Sequence, residues 1–143
     1  LTRYVVDANI LLSGFTAHPD APSAVLVGAI QDDKLEAVAC PEIIADVRKY
    51  LAKPYFRERL PEQQANKVLN TYVKVAVMLP DPINPEPILR DPDDDLLITL
   101  AQTAEADAIV TGDKDLLDHS GGLQPPAITV REACEQLGLP LST

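Results

Sequence analysis

Arg3-Tyr4-Val5-Val6-Asp7 decides the fold of this chain. It is a short apolar run of β-forming residues that stops at a carboxylate. A run this short suits a strand buried on both faces. Ile10, Leu11 and Leu12 keep the apolar character beyond Asp7, and are expected to carry the strand into a turn around Ser13-Gly14.

Working outward, the same unit recurs. Leu35 to Cys40 reads as a second buried strand, Ala108-Ile109-Val110-Thr111 as a third and Ala127 to Val130 as a fourth. Helical patterns separate them. Ala21 to Asp32 has Pro22 in its first turn. Pro41 opens a helix through about Ala52, which Lys53-Pro54 ends. Pro61 to around Val77 repeats Val68, Leu69, Tyr72, Val73 and Ala76 at helical spacing. Asp93 to Ala106 begins with acids that suit the helix dipole. Lys114 to Asp118 is a short helix, and Arg131 to Leu137 is a closing one, ended by Gly138. Residues 80–92 hold five of the thirteen prolines and read as a stiff connection rather than a domain linker. Short strands alternating with helices predict an α/β domain over residues 1–143, with a central parallel sheet of four or five strands flanked by helices.

Composition narrows the function. The chain has 143 residues, 46% of them hydrophobic, enough for one packed core. Aromatics are 4% and Trp is absent, so Val, Ile, Leu and Ala must fill that core. No apolar run reaches the roughly 20 residues of a membrane span, and Leu1 to Val6 is too short for a signal peptide. With only Cys40 and Cys134, and no CxxC, free buried thiols and a cytoplasmic setting are expected. His18 and His119 are far apart, which excludes a zinc cluster built on histidine and leaves both as incidental loop residues.

The net charge of −10 argues against nucleic acid until its distribution is read. Residues 48–74 hold seven of the twelve basic residues (Arg48, Lys49, Lys53, Arg57, Arg59, Lys67 and Lys74) against Glu58 and Glu62. That stretch is +5 and the remainder −15. A basic lobe beside an acidic centre fits a protein that holds phosphate next to metal, although solvated helix faces would look the same.

The acids fall where such a sheet binds ligands, outside the carboxyl ends of its strands. Asp7 ends the first strand, Asp113 follows the Ala108–Thr111 strand, Asp94 begins a helix, and Asp46 lies one turn into the helix after the second strand. On that helix Ile43, Val47, Tyr50 and Leu51 form an apolar stripe, with Asp46 roughly 90° from its centre. Glu42 is a possible partner or substitute one turn earlier. Carboxylates that converge without cations repel one another, and a hard divalent ion resolves the repulsion. Each acid also has a plain reading, Asp7 as an Asx turn and Asp113 or Asp115 as a helix cap.

Four stretches taken together are recognisable. Tyr4-Val5-Val6-Asp7-Ala8-Asn9-Ile10-Leu11-Leu12-Ser13 resembles the opening motif of PIN domains. Pro41-Glu42-Ile43-Ile44-Ala45-Asp46-Val47 is similar to their second motif, with Asp46 where Glu is usual. Arg90-Asp91-Pro92-Asp93-Asp94-Asp95-Leu96 and Ala108-Ile109-Val110-Thr111-Gly112-Asp113-Lys114-Asp115 resemble the third and fourth. The branch looks like the VapC-related toxins of bacterial toxin–antitoxin pairs. The resemblance implies a Rossmann-like sheet, Mg²⁺ or Mn²⁺, and endonucleolytic cleavage of single-stranded RNA. It makes Asp7, Asp94 and Asp113 metal ligands, with Asp46 completing the acidic pocket. Asn9, Ser13, Thr111 and Asp115 are then supporting groups, and Lys53, Arg57 and Arg59 candidates for RNA phosphate. A homodimer and an antitoxin protein are the implied partners.

Two other acid-bearing folds fit worse. A receiver domain needs an acidic pair after its first strand, and a haloacid-dehalogenase phosphatase needs Asp-x-Asp there, where position 9 is Asn. The serious rival is a PIN fold that binds RNA or a partner without cutting.

Overall fold

A computed structural model describes residues 1–83 and 92–141. The proline-rich connection at 80–92 and the start of the Arg90–Leu96 motif lie largely outside the described residues.

The elements run β1 (Arg3–Val6), α1 (Ala8–Thr16), α2 (Pro22–Gln31), β2 (Glu36–Ala39), α3 (Pro41–Leu51), α4 (Pro54–Arg59), α5 (Glu62–Val75), β3 (Val77–Met78), α6 (Pro92–Thr103), β4 (Ala108–Val110), α7 (Lys114–Asp118), β5 (Ala127–Ile128) and α8 (Val130–Gln136). Five parallel strands form one sheet in the order β3-β2-β1-β4-β5. β1 is central, which is why its sequence does not alternate: Tyr4, Val5 and Val6 are all buried. From β1 the chain builds one half of the sheet through β2 and β3, then crosses back to build the other through β4 and β5. The order therefore reverses between β1 and β4, the crevice where parallel sheets bind ligands.

Ile10, Leu11 and Leu12 do not extend the strand. They are the buried residues of α1, and the expected turn at Ser13-Gly14 lies inside that helix. A continuous apolar triplet fits either element by period alone. What settles it is the Asp7 side chain, which accepts the Asn9 backbone N–H and caps the helix. α1 then packs so tightly on α2 that a Cβ at Gly14 would stand 2.7 Å from the Ser23 carbonyl oxygen and 2.4 Å from Val27 Cγ2. Filling such a contact costs about 1–3 kcal/mol. A 2.9 Å hydrogen bond between Ser13 Oγ and Ser23 Oγ pins the same seam.

Three further differences are local. Val77-Met78 is a two-residue strand, too short to show a period, rather than the end of α5. Residues 54–59 form a separate helix, because Pro54 suits a first helical position as well as it suits a break. Tyr50 is 40% exposed, and Ile44 takes its expected place in the buried stripe of α3. The core is mainly aliphatic, but Tyr4 and Tyr72 are its largest fully buried side chains. Among the described residues the Tyr72 hydroxyl has no hydrogen-bond partner, and burial pushes its pKa far above the usual tyrosine value. Cys40 and Cys134 are free and buried. Gly138, at φ +69°, ends α8 in the left-handed conformation that glycine tolerates. Among the described residues no helix is long and apolar enough to cross a membrane.

Candidate functional site

The reversal between β1 and β4 opens a cavity of about 320 Å³. Asp7, Asp46, Asp94 and Asp113 all line it, and so does Glu42. Five carboxylates thus share one concavity whose only cationic lining residue, among the described residues, is Lys49.

Each acid arrives by a different route. Asp7 is the first residue beyond β1, and its backbone N–H donates to the Val110 carbonyl at 2.9 Å, extending the β1–β4 pairing by one residue. Its carboxylate is held on two sides: Oδ2 accepts the Thr111 hydroxyl at 2.8 Å, and Oδ1 accepts the Asn9 N–H at 3.4 Å. Thr111 is fully buried, and its Oγ1 in turn accepts the Asp113 N–H at 3.0 Å. One hydroxyl therefore couples the acid after β1 to the acid after β4. Asp113 caps α7, its Oδ1 accepting the N–H groups of Asp115 at 2.8 Å and Leu116 at 3.2 Å.

Asp94 sits in the first turn of α6 and is 5% exposed. The positive end of the helix favours a carboxylate there. Asp46 is half-buried on α3, at the border between the packed and exposed faces. The N-terminus of α3, which Cys40 leaves without a side-chain cap, is held by Asp81 Oδ1 accepting the Glu42 N–H at 2.8 Å.

Electrostatics follow from this crowding. Burial raises the Asp7 pKa above its ordinary value; the bonds from Thr111 and Asn9 pull it down, and the charge of Asp113 pushes it up again. Among the described residues no three His, Cys, Asp or Glu side chains converge closely enough to hold an ion as they stand. Asp7 and Asp113 are instead turned onto backbone N–H groups. The donor set nonetheless fits a hard divalent cation: oxygen ligands only, net negative, around a cavity that holds several waters.

The supporting residues divide. Thr111 and Asn9 contact Asp7. Ser13 bonds Ser23, and Asp115 contributes its backbone N–H to Asp113 while its side chain is exposed. Neither lines the acidic cavity. The sequence reading gave no cavity role to Tyr50, and it treated Lys49 only as part of the basic stretch; both line the wall. Their place on the turn after Asp46 was the available signal. Of the three proposed phosphate contacts, Lys53 and Arg59 stand over the rings of Tyr50 and Tyr55. Arg57 is half-buried on α4.

A PIN domain family model matches residues 3–115. The crystal structure of PAE2754 from Pyrobaculum aerophilum is similar in fold, with a TM-score of 0.63 at 21% identity over 96% of this chain and 90% of that one. VapBC2 from Rickettsia felis, bound to a DNA fragment from their promoter, gives 0.60 at 10% identity over 90% of this chain and 98% of that one. At these identities the likeness is one of fold. No curated protein matches the sequence.

Proposed function

The chain belongs to the PIN-domain family, and on that premise we propose that it is an endoribonuclease that hydrolyses phosphodiester bonds of single-stranded RNA with Mg²⁺ or Mn²⁺. PIN domains are generally nucleases, and the observation that carries the reading here is the carboxylate-lined cavity at the β1–β4 reversal. Asp7, Asp94 and Asp113 would hold the ion, with Asp46 completing the pocket. A bound divalent ion would neutralise charge on the phosphodiester and lower the pKa of a water.

The chain's own groups do the rest. Thr111 fixes the rotamer of Asp7 and, through the Asp113 backbone, the spacing of two ligands. Lys49 supplies a positive rim toward which a phosphate is drawn. Asp46 is one methylene shorter than the usual Glu and leaves more room on the α3 side. In this reading residues 1–143 act as one domain in the cytoplasm, as a homodimer, and as the toxin of a toxin–antitoxin pair. The fold shared with VapBC2 supports that last element.

The test is a metal titration with purified protein and single-stranded RNA. Cutting should require Mn²⁺ or Mg²⁺, stop in EDTA and return when metal is restored. Undiminished cutting in EDTA would overturn the mechanism. RNA that is bound but uncut at every metal concentration would make the protein a binding module.

A further inference from the structure

The chain has four Tyr, two Phe and no Trp, so an exposed aromatic is uncommon in it. Two of the six, Tyr50 and Tyr55, are 40% and 59% exposed, and both stand on the α3–α4 corner. Each carries a cation over its ring. Lys53 Nζ lies 5.3 Å from the Tyr50 centroid, and Arg59 Cζ lies 3.7 Å from that of Tyr55. Arg59 is also anchored, its Nη1 donating to the Tyr55 carbonyl at 2.7 Å. Phe56 meets the Tyr55 ring edge to face at 4.9 Å.

Tyr55 and Arg59 line a second cavity of about 260 Å³, with Leu12, Ser13 and Thr16 of α1 on its far wall. That is below the roughly 300–1,000 Å³ of pockets for drug-sized ligands, and suits one flat ring system. Asn9 lines both this cavity and the acidic one, so the two adjoin across a single exposed side chain.

A planar aromatic with a fixed guanidinium over it is the platform on which unpaired bases stack, and the cation adds attraction for the backbone. We propose that this cavity is a nucleobase subsite, in which a base neighbouring the phosphate in the acidic cavity stacks against the Tyr55–Arg59 pair. The subsite deepens the nuclease reading and rests on it for its ligand, single-stranded RNA.

Binding is measured by fluorescence anisotropy with a labelled single-stranded RNA in EDTA, so that no cutting intervenes. Tyr55→Ala should weaken binding about tenfold, the scale of one lost stack. Tyr55→Phe should restore most of the loss. Arg59→Lys should weaken binding although it keeps the charge, because the plane is gone. An RNA series with one abasic position moved along the strand identifies the base. Wild type should lose about tenfold at one position, and Tyr55→Ala should show no loss there. Equal responses of the two proteins at every abasic position would overturn the subsite, as would a wild type that binds no RNA. Metal-dependent cutting is scored separately. Cutting without the Tyr55-dependent abasic effect removes the subsite and leaves the nuclease. The abasic effect without cutting removes the nuclease and leaves the subsite.

Discussion

The acidic edge and the basic corner adjoin across Asn9 and are built by opposite means. The carboxylates stand at the ends of buried strands, in the first turn of α6 and on α3, and two of them, Asp7 and Asp113, are tied together through Thr111, which has no exposed surface. Two of the cations, Arg57 and Arg59, stand on α4, a six-residue helix without a fully buried residue, and Lys53 and Arg59 rest on exposed tyrosine rings. On the proposed function, the difference suits what each charge would have to do. Like charges that must share an ion repel until it arrives, so a rigid frame has to oppose the repulsion. Cations that meet a flexible polyanion gain from solvated reach and need little framing.

The largest effect should come from the rigid side. Asp7→Asn and Asp94→Asn each remove a negative charge from the proposed metal site while keeping the shape. Cutting of RNA should fall at least about a hundredfold, the upper range for disturbing groups around a metal site. Circular dichroism should show the fold intact. Near wild-type rates in either variant would mean that the acidic edge is a charged surface and no more functional than the corner.

A smaller effect sharpens the boundary of the edge. Asp46 and Glu42 both line the cavity, but Asp46 is half-buried and Glu42 exposed. Asp46→Asn should lower the cleavage rate about tenfold or more, and Glu42→Gln by less than about twofold, in the same metal titration. The reverse order would place the functional acid of α3 one turn earlier.

The corner should respond in binding rather than in rate. Lys53→Gln with Arg57→Gln leaves the Tyr55–Arg59 stack in place and removes two charges. Affinity for single-stranded RNA should fall several-fold at low salt. The slope of log K against log salt should flatten by about 1.4, at roughly 0.7 per lost phosphate contact. Metal affinity should stay at the wild-type value. An unchanged slope would show that these charges only solvate the helix, and would break the division of labour between the regions.

How much of this was legible in the sequence follows from the same contrast. Strand ends could be read because β1, β2 and β4 are continuous apolar runs, and a parallel sheet has only one edge at which acids after such runs can meet. The identity of α1 could not, because Ile10-Leu11-Leu12 is buried between sheet and helices and shows no polar face. Nor could α4, none of whose six residues is fully buried and which is too short to show a period. Arg57 and Arg59 were visible as charge, but the pairing of Arg59 with Tyr55 depends on a helix that the Lys53-Pro54 break concealed.

The smallest expected effect concerns stability, and it separates the two regions without any RNA. Burial raises the pKa of Asp7 above its ordinary value of 3.8, and the charge of Asp113 adds to the rise. The folded protein therefore holds the Asp7 proton more tightly than the unfolded chain does. That contribution is fully present below pH 3.8 and is lost as the pH rises through the folded-state value. At neutral pH without metal, wild type carries the cost of a partly buried charge, whereas Asp7→Asn stays neutral, with its one oxygen accepting the Asn9 N–H and its amide N–H donating to the Thr111 hydroxyl, which can turn to accept it. Asp7→Asn should thus have the higher Tm in EDTA at pH 7, and the gap should close as the pH falls toward 4. Adding Mg²⁺ or Mn²⁺ should reverse the order, because an ion that binds only the folded wild type raises its Tm by mass action. Lys53→Gln, on the corner, should show neither the pH-dependent gap nor a changed metal response. A Tm difference for Asp7→Asn that is independent of both pH and metal would mean that the Asp7 carboxylate is an ordinary helix cap, with no stake in an ion.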